Sequence, residues 1–408
     1  MKYVFVDPQQ TKPYTPRTPL NAPLGGTQSA ICYYVSELAK QGHDVILVNG
    51  SATSQEEDGI QIKPLQWYFE QQCYMCDVVV LCAAINKSIY DVLETNFIYQ
   101  LSIFWQGNYI FELGVQEVEK SLYHIDVFAF VSEYQRNQFC RIYRIPFDKT
   151  MLILNGVSAP FLTILPKKKD TFIYCSNPTR GLHEIPNIWK EITKVHPRAS
   201  LEVFSSEKTY GAKEDSESTL TLFSQLRGLP NVTIFDSVGQ KILAEHCGRA
   251  AFLLYPTHFV ETSCIVCIES SAAGVIPIVS DLGVFPEYVD SCVRYCENVT
   301  APFAKRANEL LDMYYNKQSQ FYQLSNNLSS KMRKKHNYTT LVNTFLVLCN
   351  QFIIKKNKAI IRLREIEAIF MKRDSKLAVY VGESMPLFFE SKMKAALFFF
   401  MAGKQYDE

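Results

Sequence analysis

The sequence predicts an α/β protein built from two parallel-sheet domains, and three observations carry that prediction. The chain has 408 residues, more than one ordinary hydrophobic core accommodates, so two domains are expected. Short apolar runs with the composition of fully buried strands alternate with amphipathic segments of helical length, the pattern of a parallel sheet covered by helices on both faces. Those runs fall into two consecutive series, one before about residue 156 and one after it.

The first series opens with a strand at residues 2–7 and a proline-rich loop at 12–23. A helix is expected over 27–41, stopped by Gly42, because glycine readily takes the left-handed conformation that ends helices. Strands at 43–48, 60–65, 77–83, 101–105 and 127–131 complete a Rossmann-like domain over 1–156. The second series, strands at 171–175, 200–204, 232–235, 251–255 and 276–280 with helical patterns between them, makes a second Rossmann-like domain over 157–336. The polar stretch 205–218 reads as an exposed loop, and 337–351 as a helix. No sequence repeat of fixed period is present.

Composition narrows the function. Hydrophobic content of 47% and charged content of 20% are those of a globular protein. A formal charge of +1 gives no signature of a nucleic-acid partner. Twelve scattered cysteines have the character of small buried hydrophobes in a reducing compartment, so a cytoplasmic location is expected. Cys73 and Cys76 form a C-x-x-C, as do Cys264 and Cys267, but neither has a second pair at zinc-site spacing, and no metal is expected. The apolar run at residues 3–6 is too short for a signal-peptide core, and no run approaches a membrane span. The exception to this even charge is a basic tail over 352–408: residues 352–376 hold eight Lys or Arg against three acidic residues, interleaved with Ile353, Ile354, Ile360, Ile361, Leu363, Ile366 and Phe370. Such a helix suits peripheral contact with an anionic membrane surface, or equally a solvated helix packed on the domain. Residues 395–401 add an apolar patch.

The chemistry concentrates at residues 255–277, YPTHFVETSCIVCIESSAAGVIP. A buried strand ends at Pro256 and a helix is expected to follow, capped by Thr262 or Ser263. The free amides of its first turn, Ser263, Cys264 and Ile265, form an anion site fit for a diphosphate. Glu261 before that turn and Glu269 after it stand eight positions apart, roughly 12 Å at helical rise. They can reach opposite ends of an extended ligand, Glu261 accepting from hexose hydroxyls and Glu269 from ribose hydroxyls. An ionised carboxylate is an acceptor only, which suits a vicinal diol. Arg180 lies between a strand and a helix, at the carboxyl edge of the second sheet, where ligands bind in such folds. Its guanidinium can clamp a diphosphate and stabilise the leaving group. Gly25 and Gly26 occupy a strand-to-helix loop where missing side chains permit close backbone approach. The chain has neither G-x-G-x-x-G nor a Walker lysine pattern, which weakens dehydrogenase and ATPase assignments. It also has no Asp-x-Asp with which to hold a divalent ion on a diphosphate.

The 255–277 stretch resembles the E-x7-E segment of retaining family 4 glycosyltransferases of GT-B architecture. Four further segments agree in order: PLGGTQSAICYYVSELAKQGHDVILVNG at 23–50, ILNGV at 153–157, YCSNPTRGL at 174–182 and DLGVFPEYV at 281–289. The resemblance spans roughly residues 1–350. It implies two Rossmann-like domains facing a central cleft, joined at 153–157, with the helix at 337–351 crossing back onto the first domain. It further implies transfer of a hexose, with retained anomeric configuration and no metal or other cofactor, from a UDP- or GDP-linked donor to a glycan, lipid or protein hydroxyl. By the same resemblance Gly25 and Gly26 border donor diphosphate and acceptor, while Arg180, Glu261, Ser263, Cys264, Ile265 and Glu269 hold the donor. The chain departs from the family pattern twice. Arg180 stands in the family's lysine position with no arginine before it, and WQGN at 105–108 replaces a segment that carries a histidine in many relatives. His258, near Glu261, is a candidate substitute. These departures leave a catalytically weak nucleotide-sugar-binding protein, or less favourably an epimerase, as alternatives to the transferase.

Overall fold

The structure, a computed structural model, describes residues 1–9, 12–109, 118, 120–167, 170–210 and 212–373. The apolar patch at 395–401 and the rest of the expected tail beyond 373 lie outside the described residues.

The first sheet contains β1 (Lys2–Val6), β2 (Asp44–Asn49), β3 (Gln55–Glu57), β4 (Ile60–Pro64), β6 (Val78–Cys82), β8 (Leu101–Gln106), β9 (Val127–Phe130) and β10 (Thr150–Leu152). Two further short strands, β5 (Tyr74–Met75) and β7 (Phe97–Ile98), pair with each other. The sheet order is β10-β9-β8-β6-β1-β2-β4-β3, parallel except where β3 runs against β4. The second sheet holds β11 (Thr171–Cys175), β12 (Ser200–Phe204), β13 (Val232–Phe235), β14 (Phe252–Tyr255) and β15 (Ile276–Val279), all parallel in the order β13-β12-β11-β14-β15. The central strands read VVVLC, TFIYC and FLLY and are buried along their whole length, as strands covered on both faces must be. Both sheets are doubly wound and Rossmann-like. In each, the strand order reverses beside the first strand, between β1 and β6 and between β11 and β14, and ligands bind at the carboxyl ends of such switch points.

Four helices shape the space between the sheets: α1 (Gly26–Lys40), α2 (Gln240–Arg249), α3 (Ile265–Ala272) and α4 (Tyr338–Arg373). Gly42, at φ +83°, ends the turn that stops α1. The chain returns to the first domain along α4, whose Val342, Phe345 and Cys349 join Val35, Leu38 and Tyr3 in one core. Both crossings between the domains meet at one point. The Val157 amide donates to the His336 carbonyl at 2.8 Å, the His336 ring Nδ1 lies 2.7 Å from the Asn155 carbonyl, and a Cβ at Gly156 would stand 2.7 Å from the Tyr338 ring.

The C-terminal helix differs from the sequence expectation. The helix expected to end at 351 runs unbroken to Arg373, and the expected tail begins as its continuation. Lys356 turns inward on it to the Asp126 carboxylate at 2.6 Å, while Lys355 pairs with Asp148 at 2.7 Å on the surface, so part of the basic character serves packing. Within the polar stretch after β12, Asp215 accepts from the Glu207 amide, and Glu207 from the Ser216 amide and Thr219 hydroxyl. No helix among the described residues is long and apolar enough to cross a membrane.

Candidate functional site

A cleft of about 470 Å³ opens between the carboxyl ends of the two sheets, within the range of ligand pockets. The loops that follow β11 and β14 build one wall. After β11, the Asn177 side chain accepts from the Thr179 amide and hydroxyl, and the Asn177 carbonyl from the Arg180 amide, closing a tight turn. Gly181 follows at φ +89°, and a Cβ there would stand 2.2 Å from the Pro256 carbonyl oxygen. Only glycine permits both this backbone conformation and this approach. The two loops therefore touch backbone to backbone, which brings Arg180 beside the segment 256–261.

Arg180 is held by its neighbours. Its guanidinium lies over the Phe259 ring, 3.1 Å from the centroid, a cation–π contact, and its Nε is 4.0 Å from a Glu261 oxygen. Its Nη1 is buried without a hydrogen-bond partner. Glu261 accepts from the Tyr255 hydroxyl at 2.8 Å. Its backbone is pinned by Gly283, where a Cβ would come within 2.6 Å of the Glu261 carbonyl oxygen, and by the Val284 amide at 3.1 Å. Burial pushes the Glu261 carboxyl up, against the opposing pull of Arg180 and Tyr255.

The helix after Glu261 starts later than the sequence indicates. Thr262 and Ser263 do not cap it: the Thr262 hydroxyl donates to the Gly107 carbonyl at 2.8 Å and Ser263 accepts from the Asn155 amide group at 2.8 Å, both across the cleft. Cys264, at φ +46°, is the cap residue, and α3 begins at Ile265. Only the last part of the Glu261 to Glu269 spacing is helical, so helical rise does not set their separation. The first intrahelical bond comes from the Cys267 amide, leaving the amides of Ile265 and Val266 free to bind an anion. Facing them is the start of α1. Gly25 is its cap, and a Cβ at Gly26 would stand 3.2 Å from Ile265 Cδ1. Two helix N-termini, each carrying partial positive charge, thus converge on one space.

Glu269 sits at the floor, 3% exposed. It accepts from the Ser158 amide at 3.1 Å and hydroxyl at 2.6 Å, and more distantly from Gln240 at 3.4 Å. Gln240 in turn accepts from the Tyr33 hydroxyl on α1. Burial pushes the Glu269 carboxyl up to about 7, with the Ser158 bonds opposing.

The cleft is lined by Gly25, Gly26, Arg180, Glu261, Ser263, Cys264, Ile265 and Glu269 together. The structure adds Phe259, Tyr255, Asn155 and Gln240 to that lining, and Ser158 and Gly283 behind it. Gly283 was detectable as a glycine in a loop beside the motif; the partners of Ser158 and Gln240 are more than a hundred and about thirty residues away, and no local signal marks them. At 105–108, Trp105 packs edge-on against Tyr34 and also faces the cleft, while buried Gln106 accepts from the Asn108 amide at 2.6 Å. His258 does not substitute for the missing histidine in the cleft. It faces Glu184, 2.9 Å away, and is absent from the cleft wall.

Known structures with this architecture identify the scaffold. A sucrose-phosphate synthase from Thermosynechococcus elongatus superposes with a TM-score of 0.67 at 13% identity, over 87% of this chain and 100% of that one. A glycosyltransferase from Rickettsia africae gives 0.66 at 11% identity, over 86% and 98%. The fold is GT-B. An Anabaena protein solved with UDP and glucose also matches, with a TM-score of 0.62 at 10% identity over 86% and 100% of the two chains. Neither a protein-family model nor a curated protein matches the sequence.

In this GT-B cleft Glu269 makes a testable pH signature. Its folded-state value lies above the ordinary carboxylate range, so its stabilising effect is complete below that range and is lost as pH rises through about 7. Glu269→Gln keeps the side-chain shape without the titration. In urea melts it should gain stability relative to the parent between about pH 5 and pH 8, by up to about 3 kcal/mol. A difference that does not change with pH would show that the carboxyl is not held as the neutral acid.

Proposed function

We propose that the protein is a retaining, metal-independent glycosyltransferase that moves a hexose from a UDP- or GDP-linked sugar to a hydroxyl of a glycan, lipid or protein. The carrying observation is the buried, unpartnered Nη1 of Arg180 in a cleft shared with two helix N-termini, the half-buried Glu261 and the buried Glu269. A diphosphate has the charge and acceptor oxygens that such a guanidinium and free helix-start amides would bind. Complexes of the Anabaena protein with UDP, glucose and UDP-glucose support a nucleotide-sugar ligand for this architecture.

In the proposed reaction the bond between the anomeric carbon and the donor's phosphate oxygen breaks, and charge grows on that oxygen. Arg180 and the first turn of α3 stabilise it without reorganising, the most effective form of electrostatic catalysis. The acceptor hydroxyl attacks from the same face and its proton passes to the departing phosphate oxygen, so no histidine is needed in 105–108. Glu261 accepts from hexose hydroxyls and Glu269 from the ribose diol. The contacts Thr262 to Gly107 and Asn155 to Ser263 hold the domains closed over the donor, excluding water. The chain is proposed to act in the cytoplasm, and any membrane contact through 352–376 would use Lys358 and Arg362, which remain exposed.

A second reading, a catalytically weak nucleotide-sugar-binding protein, is favoured by one observation: Arg180 is the only Lys, Arg or His lining the cleft among the described residues. Thermal shifts across common nucleotide sugars, followed by donor hydrolysis without acceptor, separate the two. Stabilisation with turnover supports the transferase, stabilisation alone supports the binder, and no stabilisation by any donor contradicts both.

Two predictions follow from the assigned ends of the donor and its diphosphate. Glu269→Ala should weaken free nucleotide and donor alike by about 1–3 kcal/mol, while Glu261→Ala spares free nucleotide; calorimetry showing equal loss in both variants would overturn the assignment. Arg180→Ala should lose turnover at saturating donor, with Arg180→Lys restoring only part of it, since a point charge replaces a planar fork, and EDTA should leave the parent rate intact. Wild-type turnover in Arg180→Ala, or a strict magnesium requirement, would contradict a diphosphate held by Arg180 and backbone amides.

A further inference from the structure

Behind the cleft wall, the contact between Gly181 and Pro256 assembles a second group of side chains. His183 and Glu184 follow Gly181 in a short 3-10 turn, Leu182–Glu184, and His258 follows Pro256 in the facing loop. Glu184 Oε1 lies 3.3 Å from His183 Nε2 and 2.9 Å from His258 Nε2. The three ligand atoms fall within 4.8 Å of one another, the only such group of His, Cys, Asp or Glu among the described residues. Tetrahedral coordination at zinc bond lengths of about 2.0–2.2 Å places ligand atoms roughly 3.3–3.6 Å apart; the Glu184–His183 pair has that separation, and the Glu184–His258 pair would open by roughly half an ångström to reach it. The other nitrogen of His258 faces the Tyr295 hydroxyl at 3.4 Å, the kind of outer partner that fixes the orientation of a metal-bound imidazole. The group is open to solvent, with the His183 side chain 58% exposed, so an ion has a path in and water can complete its shell.

We propose that His183, Glu184 and His258 form a binding site for a divalent transition metal, zinc being the best fit. Two imidazoles and one carboxylate select nitrogen-seeking ions such as Zn²⁺ or Co²⁺ over Mg²⁺. The site lies outside the cleft and holds no part of the proposed donor, so this inference is independent of the proposed reaction. Its consequence is mechanical: an ion joins the loop after β11 to the loop after β14, beside Arg180 on one and Phe259 and Glu261 on the other.

The test uses the full-length protein stripped with a chelator. Calorimetry with Zn²⁺ and absorption spectroscopy with Co²⁺ should show one ion per chain, d–d bands of a nitrogen and oxygen shell, a raised melting temperature, and no comparable response to Mg²⁺. His183→Ala, at an exposed turn, and the near-isosteric Glu184→Gln should each weaken uptake by about tenfold or more, and His258→Ala likewise, with melting curves of the metal-free variants confirming that they fold. Absence of stoichiometric uptake at micromolar Zn²⁺, uptake unchanged in these variants, or intense thiolate-to-cobalt bands assigning the ion to cysteines would overturn the proposal.

Discussion

The contact between Gly181 and the Pro256 carbonyl is the constraint on which the rest of the site depends. The two loops leave adjacent parallel strands, β11 and β14, whose pairing fixes the loop origins side by side. A side chain at 181 would drive them apart. Without one, the loops pack closely enough for Phe259 to support the Arg180 guanidinium and for Glu261 to lie near it. The same closure sets His183 and Glu184 against His258 on the far side. One backbone approach thus shapes two neighbouring sets of chemistry, one facing the cleft and one facing away from it.

Electrostatics explain why the buried acids tolerate their positions. Glu261 and Glu269 lie in a low-dielectric wall that disfavours their charged forms. Tyr255 and Arg180 offset this for Glu261, and Ser158 for Glu269. The hydrogen bonds that hold these groups also cross between domains: Tyr33 to Gln240, Asn155 to Ser263, Thr262 to Gly107. Contacts between the domains therefore satisfy part of the polar lining of the cleft and leave the Arg180 Nη1 unpaired.

Much of this was legible in the sequence because it is local. Apolar runs such as VVVLC and FLLY mark buried parallel strands, and E-x7-E, Arg180 and Gly25-Gly26 sit at strand ends where such sheets bind ligands. The misses have physical causes. β3, β5, β7 and β10 are two or three residues long, too short for periodicity to register. Thr262 and Ser263 have the chemistry of caps, but their hydroxyls found partners in the other domain, and the left-handed backbone of Cys264 took the cap position instead. Ser158, Gln240 and Asn155 act through long-range contacts that composition and spacing do not encode. His258, the candidate for the histidine absent from 105–108, is turned by the fold toward Glu184.

The proposed function requires a nucleoside diphosphate to bind between Arg180 and the first turn of α3 with its ribose on Glu269. A crystal structure of the protein with UDP or GDP tests it most directly. The expected result is a diphosphate bonded to the Arg180 guanidinium, including Nη1, and to the amides at the start of α3, with ribose hydroxyls donating to the Glu269 carboxylate. A nucleotide bound elsewhere, or one seated in the cleft with its diphosphate away from Arg180 and its ribose away from Glu269, would contradict it.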